Sequence, residues 1–232
     1  MPVTRCRFRL RSVAVVCATA YASVVCLPSP PAAAAPTGQH VISIAEARAL
    51  PLGTVVTVDG SVTTPSGAFE SSFFDKGFGL QDRSAGIYVS LPQDLGIAPR
   101  RQARVTGRLA DSFGLLILVP TGPSDVKLHG AGPRVKPKPV ATGAVGEATE
   151  GLLVTTVGTI TQGPQNDLPY GFKLSIDDGT GELVIFVNVQ TDIDLSEFAV
   201  GQLVSVTGFS GQFDDHYEVL PRSPEDLLLL GP

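Results

Sequence analysis

The chain has 232 residues, 43% hydrophobic and 17% charged, with a formal net charge of −5. That length accommodates one large or two small domains, and 25 glycines with 19 prolines imply many turns. All three cysteines (Cys6, Cys17 and Cys26) fall near the N-terminus, which excludes disulfides and thiolate metal sites from the remainder. In chain order, Arg5, Arg7, Arg9 and Arg11 precede the short apolar run "SVAVVCATAYASVVCL", and Ala32 to Ala35 follow with an A-x-A pattern. This reads as a secretory signal peptide over residues 1–35, with Ala35 the last residue removed. The apolar run is shorter than the roughly 20 residues of a spanning helix, and Val25 stands where a lipoprotein anchor at Cys26 needs a small residue. Without the signal, 13 basic residues face 22 acidic ones, so the mature chain carries −9.

Next comes "SIAEARAL" (residues 43–50), with a Ser cap, an early acid and good helix formers, which predicts a short helix. From there the sequence says the same thing twice. "GTVVTVDGSVTTP" (residues 53–65) matches "GLLVTTVGTITQG" (residues 151–163) without a gap. A hairpin follows in each copy, "KGFGLQDRSAGIYVSL" and "YGFKLSIDDGTGELVIFVN". Then "VTGRLADSFGLLILVPTGPSDVKL" matches "VTGFSGQFDDHYEVLPRSPEDLLL", again without a gap, pairing Pro120 with Pro221 and Pro123 with Pro224. The period of about a hundred residues is too long for a solenoid and points to two copies of one domain.

Period-two alternation bounded by Gly, Pro and Asp predicts five strands per copy. They cover 54–64, 78–82, 86–91, 102–109 and 113–119, then 153–162, 171–177, 182–188, 203–210 and 216–220. Short antiparallel strands that must hide their edges are expected to close into a barrel. Gly60, Gly107, Gly158 and Gly208, inside strands, mark bulges or tight bends. The fold class is therefore all-β: two tandem five-stranded Greek-key barrels with short helices, after an N-terminal signal peptide. The first barrel spans 43–130 and the second 143–230, joined by a stiff Pro/Lys linker over 131–142.

The order "GTVVTVDGSVT", "FGLQD…GIYV", "VTG" resembles the OB-fold domains of exported bacterial proteins. It is similar to OB modules appended to extracellular nucleases and, more distantly, to those of polymerases and synthetases. The resemblance covers residues 43–229. It implies ligand binding across strands 2 and 3, flanked by the loop after strand 1 and the loop between strands 4 and 5. One departure is the segment "PQDLGIAPRR" between strands 3 and 4, which has room for a single helical turn.

Single-stranded nucleic acid needs aromatic platforms and a cationic groove. Residues 36–141 carry 11 basic and 8 acidic side chains, a balance of +3, whereas residues 142–232 carry 2 and 14, a balance of −12. A polyanion is thus expected to choose copy one. There, Phe69, Phe73 and Phe74 in the loop after strand 1 are candidates for stacking on bases, the alternative being that they cap the barrel or bury against copy two. Arg83 and Tyr88 lie on the hairpin, and Arg100, Arg101, Arg104 and Arg108 form a basic stripe or, alternatively, a solvated edge. In copy two, "IDDGTGE" is either a calcium loop or a β-turn; it lacks the twelve-residue acid spacing and flanking helices of an EF-hand. His40, His129 and His216 have no nucleophile or second histidine placed beside them, and no catalytic motif is present. The expectation is an exported, periplasmic or extracellular, non-enzymatic binding protein without cofactor or metal. It is expected to bind single-stranded nucleic acid, DNA or RNA, or a similar anionic oligomer through barrel 1. The alternative is a protein-binding or cell-envelope scaffold that uses the acidic barrel 2.

Overall fold

The computed structural model describes residues 40–231, so the predicted signal peptide lies outside the described residues. Strand β1 (Val41–Ile42) leads into helix α1 (Ile44–Arg48). Ser43 caps the helix through a reciprocal box: its hydroxyl accepts from the Glu46 N–H while the Glu46 carboxylate accepts from the Ser43 N–H at 2.8 Å. The chain then builds β2 (Val55–Val62), helix α2 (Glu70–Phe73), β3 (Phe78–Gln81), β4 (Gly86–Val89), β5 (Arg101–Ser112), β6 (Leu115–Val119) and β7 (Val126–Ala131). The sheet order is β1-β2-β3-β4-β6-β5-β7, and pairing of β2 with β5 closes five of these strands into a barrel. Strand β4 runs parallel to β6, and the remaining barrel contacts are antiparallel.

The second copy repeats this with β8 (Lys138–Pro139), β9 (Leu153–Asp167), β10 (Gly171–Asp177), β11 (Leu183–Asn188), β12 (Leu203–Phe213), β13 (His216–Leu220) and β14 (Leu227–Leu229). Pairing of β9 with β12 closes this barrel, and β11 runs parallel to β13. The all-β, two-barrel architecture follows the predicted strands closely, and the strand order is that of OB-type barrels. Short flanking strands are the addition: β1 and β8 each pair parallel with the first barrel strand, β7 and β14 antiparallel with the fourth. Pro123 and Pro224, matched in sequence, each open a single 3-10 turn before that flanking strand.

Burial follows the alternation. In β5, Ala103, Val105 and Leu109 point into the barrel with Val58, Leu80 and Ile87, while Arg104 and Arg108 face water. Barrel 2 repeats the arrangement around Ile160, Ile176, Ile185 and Val206. At matched positions, Gly107 and Gly208 lie where the next strand's backbone passes; an added Cβ would stand 2.9 Å from the Val119 carbonyl and 2.5 Å from the Leu220 carbonyl. The segment between β4 and β5 forms no helix. Instead Ile97 drops into the barrel 1 core.

A third core lies between the barrels. Phe69, Tyr88, Leu115 and Ile117 from barrel 1 pack against Phe186, Phe209 and Leu220 from barrel 2. Fully burying such side chains stabilises by about 1.5–3 kcal/mol each. The backbones themselves touch, and a Cβ on Gly86 would stand 1.9 Å from the Gly151 carbonyl oxygen. Polar locks surround this core. Arg48 donates to Glu150 at 2.9 Å and to Glu147 at 3.1 Å, Arg222 donates to the Thr63 carbonyl at 2.7 Å, and Leu153 N–H donates to the Gln81 side chain at 2.9 Å. Burial pushes the Glu150 carboxyl above its ordinary range despite Arg48. The stretch predicted as a linker lies along barrel 2 through β8, and Val140 N–H extends the pairing to Thr155. Among the described residues, no helix is long and apolar enough to cross a membrane.

Candidate functional site

The strand face expected to bind in barrel 1 is covered. Tyr88 points outward from β4 as its alternation predicts, but Phe73 stacks on it at a centroid distance of 4.0 Å and Phe209 of barrel 2 meets it edge-on at 5.8 Å. Phe69 is buried 6.1 Å from the same Phe209. The loop after strand 1 coils into α2 and folds these rings inward. Asp75 anchors the fold-back: its carboxylate accepts from Gly77 N–H at 2.8 Å, from the Tyr88 hydroxyl at 3.0 Å and from the Ser90 hydroxyl. Burial raises the Asp75 carboxyl and, together with the charge of Asp75, the Tyr88 phenol. Phe69 thus follows the alternative of burial against copy two, and Tyr88 is corrected from a stacking platform to a core residue, because burying apolar rings at a barrel–barrel contact stabilises the pair. Phe73 belongs to the same cluster.

Phe74 differs. It sits exposed at the end of α2 in the left-handed region, φ 54°, edge-on to Tyr170 of barrel 2 at 5.6 Å.

The arginines divide into three groups. Arg83 is exposed at the β3–β4 tip, away from the others in sequence. Arg104 pairs with Asp59 at 3.1 Å, and Arg108 donates to the Gly53 carbonyl at the far end of β5. Arg100 and Arg101 lie at the start of β5, and Arg100 is held at φ 68°, a backbone conformation that is costly for a residue with a Cβ. Arg100 lines a groove of about 440 Å³ with Arg134 of the inter-barrel stretch and Arg222 of barrel 2. Arg222 is committed, donating through two nitrogens to Asp226 at 2.6 and 2.8 Å. Among the described residues, no carboxylate pairs with Arg100 or Arg134. The predicted stripe thus contracts to its N-terminal end and gains two arginines from outside it. Arg134 was masked as linker, and the signal for Arg222 was its place in the matched strand-5 turn.

A second cavity, about 230 Å³, opens on barrel 2. Its walls are Phe73 and Phe74 from barrel 1, Phe113 from the β5–β6 tip, and Tyr170, Phe186 and Phe213. Its ionisable wall residues are Asp167, Lys173, His216 and Glu218, with serine and glutamine side chains between them. The β5–β6 and β12–β13 tips meet here: Phe113 and Phe213 are 5.3 Å apart, and Asp214 N–H donates to the Phe113 carbonyl at 2.7 Å. The Glu218 side chain is only 9% exposed, and the nearest basic side-chain nitrogen, His216 Nε2, is 3.9 Å away. Burial pushes this carboxyl up to about 7, with Lys173 pulling it down and Asp167 adding to the rise. Glu218 was missed, although it is an ionisable residue at a strand position that Ile117 fills in copy one.

The acidic stretch "IDDGTGE" resolves as a turn. Asp177 accepts from Gly179 and Gly181 N–H, and Asp178 accepts from Thr142 and Thr180, which hold its carboxyl down to about 2. Among the described residues, no group of three or more His, Cys, Asp or Glu is placed to hold a metal.

No protein family and no curated protein matches the chain. Solved structures that the chain matches include the hypothetical protein ygiW of E. coli, at 15% identity and TM-score 0.32 over 40% of this chain and 94% of that one. Others are the p204 HINb domain, at 12% identity and TM-score 0.37 over 77% and 96%, and a murine DNA binding protein bound with double-stranded DNA, at 12% identity and TM-score 0.36 over 76% and 97%. None of these likenesses is close enough to assign a ligand.

Proposed function

We propose that this chain is an exported, non-enzymatic binding protein that holds single-stranded nucleic acid, or a comparable anionic oligomer, in the groove of Arg100, Arg134 and Arg222. The observation that carries this is the pair of arginines without carboxylate partners, converging from two segments on one groove of about 440 Å³. A guanidinium fork fits phosphate through two parallel N–H bonds, and Arg keeps its charge at any physiological pH. Arg101, Lys136 and Lys138 extend positive charge along the same stretch. No aromatic ring lines this groove, so it supplies only the cationic half of the predicted single-strand site, and the contacts go to the phosphate backbone and not to the bases. The chain's resemblance to OB modules of extracellular nucleases, with the signal-like first 35 residues, supports export to where such oligomers occur.

The test is fluorescence anisotropy of the full-length protein with a labelled single-stranded oligonucleotide at two salt concentrations. Saturable binding is expected, weakening with salt by a log–log slope of about 0.7 per neutralised phosphate, and indifferent to base sequence. The variant Arg100→Glu with Arg134→Glu should abolish it, while Arg108→Glu should leave it nearly intact. Unchanged affinity in the double variant would remove the groove from the binding surface.

A further inference from the structure

The aromatic cavity on barrel 2 is a separate site with the opposite chemistry. A carboxylate that is more than nine-tenths buried ordinarily has hydrogen-bond donors, since burying a charge without them is costly. Glu218 has none among the described residues; it faces a cavity instead, with His216 no closer than 3.9 Å. The other charged groups do not meet this need. Lys173 is held by Asp167 at 3.2 Å, and Asp215 is fully exposed beside His216. The cavity that Glu218 lines is walled by the rings of Phe73, Phe186, Tyr170 and Phe213, with the more exposed Phe74 and Phe113 at the rim. Both rim phenylalanines are exposed and held at positive φ, 54° and 52°. These angles belong to local structure, Phe74 as the C-cap of α2 and Phe113 in the two-residue β5–β6 turn, and they fix where the two rings stand.

We propose that this cavity binds a small organic cation bearing N–H donors, an alkyl- or arylalkylammonium, with Glu218 as its counter-ion and the surrounding rings as its cage. The ammonium supplies the donors that Glu218 lacks, and the ring faces attract its charge. The −12 balance of residues 142–232 draws cations towards this half and turns polyanions away. At about 230 Å³ the cavity is smaller than the roughly 300–1,000 Å³ of drug-sized sites, so the ligand is small.

Benzylamine is the probe and benzyl alcohol its uncharged counterpart, each titrated calorimetrically into the full-length protein at pH 8. Benzylamine is expected to saturate and to bind at least about tenfold more tightly than the alcohol. Glu218→Gln should erase that preference, and Phe213→Ala, at an exposed position in the cavity wall, should weaken both probes. Arg100→Glu with Arg134→Glu should change neither, which separates this site from the arginine groove. Equal binding of the two probes to the unaltered protein would overturn the proposal, as would a preference that survives Glu218→Gln. So would the absence of saturable benzylamine binding at millimolar concentrations, and the two-probe comparison decides even if Glu218→Gln does not fold.

Discussion

The two barrels share a strand order and differ in what covers the same face. Matched residue by residue, Leu115 and Ile117 of β6 stand where His216 and Glu218 stand in β13. In barrel 1 these positions are apolar because the face is buried under α2 and Phe209. In barrel 2 they are ionisable because the face looks into a cavity. The turns confirm the correspondence: Phe113 and Asp214, at one matched position, both adopt positive φ, 52° and 51°. A duplicated barrel can thus spend one copy's face on holding the pair together and leave the other's open. The charge split follows the same division, with free arginines at the junction and a buried carboxylate on barrel 2.

The largest effect should come from removing the cover of barrel 1. Phe209 touches Phe69, Phe73 and Tyr88 at once, so Phe209→Ala should cost about 3–5 kcal/mol of unfolding free energy by chemical denaturation. Stability close to the unaltered protein would mean that the barrels do not depend on the third core. Arg48→Met belongs to the same class, because it strands the buried Glu150; breaking such a pair from one side costs about 3–5 kcal/mol.

A sharper contrast between the faces comes from pH. The carboxyl of Glu218, near 4.5 when unfolded, titrates at about 7 in the fold. Its protonated form is therefore favoured by folding: the associated stability is complete below about pH 4.5 and is lost as pH rises through about 7. Ionising it in place costs on the order of 3 kcal/mol. Asp75 and Glu150 shift in the same direction, so the informative quantity is a difference. Glu218→Gln should gain melting temperature relative to the unaltered protein as pH goes from 5 to 8, with Lys173, Asp167 and His216 unchanged around it. A pH-independent difference would show that Glu218 is solvated in the fold.

Much of this architecture was legible in the sequence, because strand alternation and a gapless repeat are local signals. Arg104 and Arg108 face out and Ala103 and Val105 face in, as period two requires. The flanking strands were not legible: Val41–Ile42 and Lys138–Pro139 are two residues long and carry no alternation. Nor was the role of the phenylalanines. A ring on the outer face of a barrel looks the same in sequence whether water, ligand or a second barrel covers it, and only the docking of Phe209 decides for Tyr88. The arginine groove gathers residues 100, 134 and 222 across both copies, a convergence that no local window contains. Glu218 was readable in principle, as the one strand-5 position where an acid replaces an isoleucine.

The smallest expected effect separates stability from binding at the junction. Arg100 is held at φ 68° by its N–H to the Val62 carbonyl and by Gly132 N–H on its own carbonyl. Arg100→Gly relieves a left-handed conformation worth about 1 kcal/mol, while the freer unfolded chain takes back about 0.4–1 kcal/mol. The net change in unfolding free energy should lie between zero and about 0.6 kcal/mol in favour of the variant. If the arginine is kept there for its charge, oligonucleotide affinity should fall in the same variant. A stability gain without loss of affinity would show that the strained backbone at position 100 serves the barrel's geometry, and would leave Arg134 to carry the groove.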